Sequence, residues 1–190
     1  MAPDPEPTTA NSTPAPPRGD GEPVRGRIVV GVDDSEQAAA ALRWALEEGV
    51  LRQATVEVVH AWSPPVSALP FGATFRIPVD EGEIDSAARA SVDEVVDAAL
   101  AEMDERPPEV LRTILPGGAA MTLIDVSAGG RRDQGVAGGC RAGVGETADL
   151  LVVGSHGRTG LSRLVLGSVA MACVQHAPCP VVVVRTPSEG

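Results

Sequence analysis

Short apolar runs alternate along the chain with longer segments in which apolar residues recur every three or four positions. Such runs are typical of parallel strands covered on both faces, because neither side of the strand meets water. We predict five of these strands, at residues 27–32, 56–61, 110–115, 150–153 and 181–184. The periodic segments predict helices at residues 38–50, 84–103, 119–126 and 169–176, and Ser35 is suited to cap the first helix.

Strands that alternate with helices at this spacing indicate right-handed βαβ units. We therefore predict an α/β fold with a doubly wound, five-stranded parallel sheet of the Rossmann-like type and the strand order 3-2-1-4-5. In such a sheet ligands bind beyond the carboxyl ends of the strands where the winding reverses, here between the first and fourth strands. Asp33 and Gly154 lie in the loops that follow those two strands, whereas residues 62–78, with four prolines, predict an irregular loop.

The composition limits the organisation of the 190-residue chain. Residues 1–25 are rich in proline and cannot bury enough apolar area to order themselves, so we predict a disordered tail there. The domain is predicted over residues 26–186, followed by a short tail at 187–190.

The charge pattern excludes several classes of function. A net charge of −11 disfavours nucleic acid and anionic membranes as partners, because both require a basic face. All fifteen basic residues are arginine, so the lysine of a Walker A loop is missing. The three cysteines are odd in number and have no CxxC spacing, which favours a reducing cytoplasm, and the three histidines lack metal-ligand spacing.

Glycines follow the fourth predicted strand at regular intervals. Gly154 ends the strand, Gly157 and Gly160 follow, and Gly167-Ser168 precedes the last predicted helix. Glycine lets the backbone turn sharply and exposes several N–H groups in one concavity, and the helix N-terminus adds its positive dipole end. This combination suits an anion, most of all a phosphate group. A glycine-rich connection without a ligand is the alternative.

The spacing Gly154-x2-Gly157-x9-Gly167-Ser168 resembles the nucleotide-binding signature of the universal stress protein family, in its ATP-binding branch. The similarity covers residues 26–186 and extends to the segments VGVDDSE, VVHAW, ADLLVVGSHGRTG and HAPCPVVVV. It implies an adenine nucleotide alpha-hydrolase-like fold, ATP as the ligand, alone or with Mg²⁺, and a cytoplasmic regulator or sensor of the stress response.

The resemblance also implies roles for individual residues. Gly31 and Asp33 would lie beside the ribose and adenine, and the backbone of Ala61 would meet the adenine edge. Arg158 or Arg163 would neutralise phosphate charge, although both suit a solvated surface equally well. The remaining residues of the phosphate cradle would be Gly154, Ser155, His156, Gly157, Thr159, Gly167, Ser168 and Val169. No catalytic residue and no metal ligand is predicted.

The last strand has a further implication. By the resemblance Val181–Val184 form the edge of the sheet, and an open apolar edge invites pairing with another chain. We therefore predict a homodimer joined through this strand, with a monomer whose helices bury the strand as the alternative.

Several alternatives remain open at this level. Asp33 suits a helix cap as well as a ligand, and Ser168 suits an N-cap. Asp34 stands where the family commonly has glycine, and a Gly-rich insertion at residues 127–145 interrupts a usually compact helix. That insertion contains Arg131, Arg132 and Arg141 and is expected to be flexible. It would either lie over the nucleotide or have no role in binding it. A slow ATP-hydrolysing or nucleotidyl-transferring enzyme, and an interaction module without nucleotide, are the alternative functions.

Overall fold

Seven strands and four helices make up the part of the chain that the computed structural model describes, residues 26–63, 66–68, 74–76, 80–130, 146–157 and 166–186. The strands are β1 (Arg27–Gly31), β2 (Thr55–Trp62), β3 (Val66–Ala68), β4 (Thr74–Arg76), β5 (Glu109–Pro116), β6 (Leu150–Gly154) and β7 (Val181–Val184). The helices are α1 (Glu36–Arg52), α2 (Glu81–Ala101), α3 (Ala119–Ser127) and α4 (Ser168–His176). The predicted tails at 1–25 and 187–190 lie outside the described residues. None of the described helices has the length and apolar character that a membrane span requires.

β1 is the centre of a five-stranded sheet with the order β5-β2-β1-β6-β7. When only the strands of this sheet are numbered, that order is 3-2-1-4-5, as the sequence predicts. Every pairing is parallel, and at its middle Val30 lies between Val58 of β2 and Val152 of β6. The prediction of a doubly wound parallel sheet is therefore confirmed.

Helices cover both faces of the sheet and create two separate cores. α1 and α2 pack over one face, where Ile28, Leu42 and Val96 are buried together. α3 and α4 pack over the other face, in a cluster that includes Val29 and Leu123. Because alternate residues of each central strand enter opposite cores, the strands are apolar throughout rather than at every second position.

The segment between β2 and α2 is more regular than predicted. β2 extends through Trp62, and the short strands β3 and β4 pair antiparallel, with Val66 opposite Arg76. The prediction of an irregular loop over residues 62–78 is wrong for this part. Strands of three residues are too short to show an alternating pattern, and the surrounding prolines dominate the composition.

The predicted insertion at residues 127–145 begins in ordered structure. Ser127 is the last residue of α3, is buried, and donates a hydrogen bond from Oγ to the Ile124 carbonyl at 2.8 Å. Its own carbonyl accepts from the Ala148 N–H at 2.7 Å. Helix α3 therefore extends to the first residue of the predicted insertion, and the flexibility of the insertion stays a prediction. Residues 131–145, with Arg131, Arg132 and Arg141, lie outside the described residues.

Arg27 ties both flanks of that insertion to the sheet. Its guanidinium donates to the carbonyl oxygens of Val126 and Glu146, at 2.8 and 2.9 Å, and contacts Glu57 Oε2 at 2.5 Å. The second oxygen of Glu57 accepts from Thr113 Oγ1 at 2.6 Å. Because Arg27 begins β1, the two flanks lie at the amino ends of the strands, opposite the end where a ligand is predicted.

The Arg27–Glu57 ion pair generates a prediction about stability. Arg27→Ala leaves the Glu57 carboxylate, whose side chain is 8% exposed, without its counterion. Since a buried charge without a partner is costly, we expect the free energy of unfolding to fall by about 3 kcal/mol in urea titrations. Arg43→Ala is the matched control, because the Arg43–Glu102 pair is mostly exposed, and we expect a loss below about 0.5 kcal/mol. Equal losses in the two variants would contradict this interpretation.

Candidate functional site

The chain winds in opposite directions from the two adjacent central strands β1 and β6. β1 continues through α1 to β2 on one side, and β6 continues through α4 to β7 on the other. α1 and α4 cover opposite faces, so a crevice is left at the carboxyl ends of β1 and β6. Asp33 follows β1 and Gly157 follows β6, so both predicted loops reach this crevice.

Asp33 uses one carboxylate oxygen within its own turn. Oδ1 accepts from the Ser35 N–H at 3.0 Å and from Ser35 Oγ at 2.5 Å. Ser35 in turn caps α1, since its Oγ accepts from the Ala38 N–H at 3.2 Å. Asp33 therefore orients the capping residue and is not itself the cap, which leaves Oδ2 for another role.

The second oxygen of Asp33 faces the glycine loop. A Cβ added to Gly157 would lie 2.7 Å from Asp33 Oδ2, which is closer than real Cβ contacts. Residue 157 must therefore lack a side chain if the carboxylate is to keep this position. This proximity joins the two loops that the sequence analysis singled out separately.

Two further glycines are required by close approach to neighbouring backbone. A Cβ on Gly154 would lie 2.9 Å from the Gln37 carbonyl carbon, at the start of α1. A Cβ on Gly167 would lie 3.3 Å from both the Ser155 oxygen and His156 Cα. Neither glycine, nor Gly157, has a left-handed φ. These three positions therefore do not need glycine for a left-handed φ, and the close approach of neighbouring atoms is the reason for glycine at each.

α4 begins inside this loop arrangement. Gly167 occupies the N-cap position and supplies no side-chain cap, and its N–H donates to the Ser155 carbonyl at 2.8 Å. Ser168 is exposed and is the first residue of the helix, followed by half-buried Val169, so the alternative that Ser168 is the N-cap is wrong. Among the described residues no side chain caps the first turn of α4, so its N–H groups are arranged in a way that suits an anion.

Ser155 and His156 connect this loop to the edge of the sheet. The buried Ser155 donates its N–H to the Val184 carbonyl at 2.8 Å, and its Oγ lies 3.1 Å from His156 Nδ1. His156 Nε2 is buried and has no hydrogen-bond partner among the described residues. The backbone of the glycine loop is thus held by β7 on one side and by Gly167 on the other.

Gly31 and Ala61 occupy the ends of β1 and β2. A Cβ on Gly31 would lie 2.7 Å from Leu123 Cδ1, so the packing of α3 accounts for glycine there. Ala61 lies two residues beyond Val59, whose carbonyl accepts from the Val32 N–H at 3.0 Å. Peptide groups two residues apart face the same neighbouring strand, so those of Ala61 face the crevice side beyond the end of β1.

Three predicted site residues, Arg158, Thr159 and Arg163, lie outside the described residues. Conversely, His60 was not predicted as a site residue, and its Nδ1 lies 3.0 Å from the Val32 carbonyl oxygen next to the site. A polar residue within an otherwise apolar strand was the available signal.

Burial keeps both described cysteines in the thiol form. Burial raises the pKa of the Cys173 thiol to about 11, and Cys179 adds to this shift. Burial also raises the pKa of the Cys179 thiol, against the opposing effects of its hydrogen bond with Ser127 and of the Arg27 charge. Both thiols are therefore protonated at neutral pH, and Cys173 is a buried core residue as predicted.

Sequence comparisons identify relatives of this chain. A family model described as the universal stress protein family matches residues 25–185. A universal stress protein of Mycobacterium tuberculosis is 34% identical over 165 residues, which are 83% of this chain and 47% of that protein. One from Mycobacterium bovis is 33% identical over 167 residues, 86% of this chain and 47% of the relative. The chain thus spans about half the length of these curated relatives.

Solved structures share the fold. The universal stress protein UspA from Lactobacillus plantarum matches this chain with a TM-score of 0.58 at 22% identity. The match covers 84% of this chain and 97% of the UspA chain. A universal stress protein in complex with cAMP has a TM-score of 0.56 at 20% identity and covers 86% and 98%. One from Archaeoglobus fulgidus in complex with dAMP has a TM-score of 0.55 at 22% identity and covers 85% and 98%.

The packing of Gly154 generates a prediction that needs no ligand. Gly154→Ala forces β6 and the start of α1 apart, so we expect the free energy of unfolding to fall by about 2 kcal/mol in urea titrations. Gly118→Ala is the control, because a Cβ there meets nothing within 4 Å, and a change of less than about 1 kcal/mol is expected from the altered cap of α3. If the first variant is as stable as the second, α1 is not packed against β6 as closely as described.

Proposed function

Because this chain belongs to the universal stress protein family, we propose that it binds an adenine nucleotide, ATP, in the crevice between β1 and β6. The observation that carries the proposal is the proximity of Asp33 Oδ2 to Gly157. An acceptor suited to a sugar hydroxyl and a loop suited to phosphate thereby lie on the two sides of one crevice.

Each side of the crevice receives a role. Asp33 Oδ2 accepts hydrogen bonds from the ribose, and the peptide groups of Ala61 meet the adenine edge. The phosphates lie against the backbone of Gly154–Gly157 and the first turn of α4. The fit rests on the position of Asp33 Oδ2 beside the glycine loop and on the start of α4, whose N-cap residue Gly167 has no side chain. Arg158, Thr159 and Arg163 remain proposed phosphate contacts.

The solved relatives give this assignment its chemical support. The two universal stress proteins named above are in complex with cAMP and with dAMP, which both contain adenine, a sugar and one phosphate. The nucleoside part of the proposal is supported at the level of the shared fold. The further phosphates of ATP, alone or with Mg²⁺, are proposed from the resemblance to the ATP-binding branch of the family.

The biological role we propose is that of a cytoplasmic stress-response regulator or sensor that responds to bound nucleotide. Any phosphate transfer would be slow and would depend mostly on positioning by the loop backbone, because no general base is predicted. Phosphate release under excess ATP and Mg²⁺ separates the sensor from the enzymatic alternative. Mass spectrometry of protein purified without added nucleotide tests binding itself. The proposal would be overturned if the purified protein retained no nucleotide and also bound none in a titration.

Asp33→Asn tests the site directly. The amide keeps one oxygen for the Ser35 turn but places an NH₂ group where the free carboxylate oxygen faces Gly157. We expect ATP binding to weaken by about 1–3 kcal/mol in calorimetry, the scale of a hydrogen bond to a charged group. ADP should lose the same amount, because the ribose is common to both nucleotides.

Glu102→Gln is the matched control for that substitution. Glu102 is exposed at the end of α2, so its substitution removes one negative charge without touching the crevice. Its ATP affinity should equal that of the unmodified protein. Unchanged affinity in Asp33→Asn would refute the ribose contact, and a loss for ATP alone would place Asp33 near the γ-phosphate or its metal.

We also propose that two copies of the chain associate through β7. Among the described strands β7 pairs only with β6, so its other edge has free N–H and C=O groups. All four of its valines, Val181–Val184, are only half-buried although helices lie on both faces. The exposed Met171 and Val174 of α4 extend this apolar edge, because α4 packs against β7. Two-fold pairing of β7 with its copy covers both features.

Val183→Lys tests the association by placing a charge on the edge strand. Light scattering at micromolar concentration should give twice the 19.4 kDa chain mass for the unmodified protein and the single mass for the variant. Leu51→Lys, at a position 79% exposed on α1, is the control and should stay dimeric. An unmodified protein at the single mass would refute the dimer. A Val183→Lys variant that stays dimeric would show that the interface lies elsewhere on the chain.

A further inference from the structure

Val32 links the end of β1 to the turn that carries Asp33. Its N–H donates to the Val59 carbonyl of β2 at 3.0 Å. Its carbonyl oxygen lies 3.0 Å from Nδ1 of His60. Both polar groups of this residue are thus held by β2, one by the backbone and one by a side chain.

The bond from His60 has a defined direction. A carbonyl oxygen only accepts, so the imidazole must carry its proton on Nδ1 and donate it. In a regular parallel ladder the Ala61 N–H would take this place, because Val32 lies between Val59 and Ala61 in register. Among the described residues no backbone N–H is recorded on the Val32 carbonyl. The imidazole therefore ends the β1–β2 ladder one residue before the crevice.

This ending affects the next peptide group. The carbonyl of Val32 belongs to the peptide whose nitrogen is that of Asp33, so holding the oxygen limits rotation of that peptide. The Asp33 carboxylate must be oriented well enough to meet Ser35 with one oxygen and Gly157 with the other. The same ladder ending leaves the Ala61 N–H on the crevice side without the Val32 carbonyl as its partner.

We propose that His60 is a positioning residue of the nucleotide site, acting through the Val32 carbonyl on Asp33. The inference rests on the proposed function for its consequence in binding, but not for the ordering of residues 32–35, which exists in the free protein.

Two substitutions separate the hydrogen bond from the packing of the ring. In His60→Asn the side-chain amide nitrogen is bonded to Cγ, as Nδ1 is in histidine. The variant therefore retains a donor for the Val32 carbonyl. His60→Leu has similar branching at Cγ and no donor. A role in packing alone predicts that leucine is tolerated better than asparagine, whereas positioning predicts the reverse order.

The first measurement is amide hydrogen exchange of the free full-length chain. We expect His60→Leu to accelerate exchange at the N–H groups of Val32 and Ser35 by about tenfold, and His60→Asn by less than about threefold, as loss or retention of one hydrogen bond implies. Unchanged exchange in His60→Leu, or equal acceleration in both variants, would overturn the inference whatever the protein binds.

The second measurement is ATP affinity in a double-mutant cycle. His60→Leu should weaken binding by about tenfold and His60→Asn by less than about threefold. Combined with Asp33→Asn, His60→Leu should add little, because both changes disturb one contact. Losses that multiply would show that His60 acts independently of Asp33. If the unmodified protein binds no adenine nucleotide, the proposed function fails, and the exchange measurement still decides the positioning role.

Discussion

The parallel pairing of β1 with β6 is the constraint on which the candidate site depends. Leu150 lies opposite Ile28 and Val152 opposite Val30, so the two strands end at the same level. At the start of this pairing the Arg27 N–H donates to Asp149 Oδ2 at 2.7 Å, and the Asp149 N–H donates to the Arg27 carbonyl at 2.9 Å. A slip of one residue would reverse the faces of β6, and it would also shift the glycine loop relative to Asp33.

Three glycines shape the crevice because they have no side chain. Gly154 admits the start of α1, Gly157 admits the Asp33 carboxylate, and Gly167 admits the loop that follows β6. Each glycine lets two pieces of backbone, or backbone and carboxylate, approach more closely than a Cβ would permit. The described part of the crevice thereby brings loop backbone and one carboxylate close together, which suits a ligand recognised through N–H donors and one carboxylate acceptor.

The two ends of the sheet have separate tasks. At the amino ends Arg27 joins Glu57 and both flanks of the insertion, and Thr113 completes the set of hydrogen bonds. At the carboxyl ends the loops after β1 and β6 form the crevice, and the Ser155 N–H connects this crevice to β7 through Val184. The proposed nucleotide site and the proposed dimer edge are therefore neighbours, whereas the anchored flanks of the insertion are remote from both.

Much of this arrangement follows from local patterns in the sequence. Apolar runs predicted the five strands of the sheet, and the residue type of Ser35 predicted the cap of α1. The glycine spacing predicted the loop after β6. Each of these features depends on residues that are neighbours in the sequence. Three-residue strands such as β3 and β4 carry too little pattern, and the helical end at Ser127 was hidden by the glycines after it.

What only the tertiary structure decided is which distant residues meet. The sequence by itself determined the kinds of element, their order and the residues suited to phosphate. The contact of Gly157 with Asp33, the use of glycine for space rather than for φ, and the bond from His60 to Val32 all depend on strand register. Register is set by the packing of both cores at once, and no local stretch of the chain contains that information.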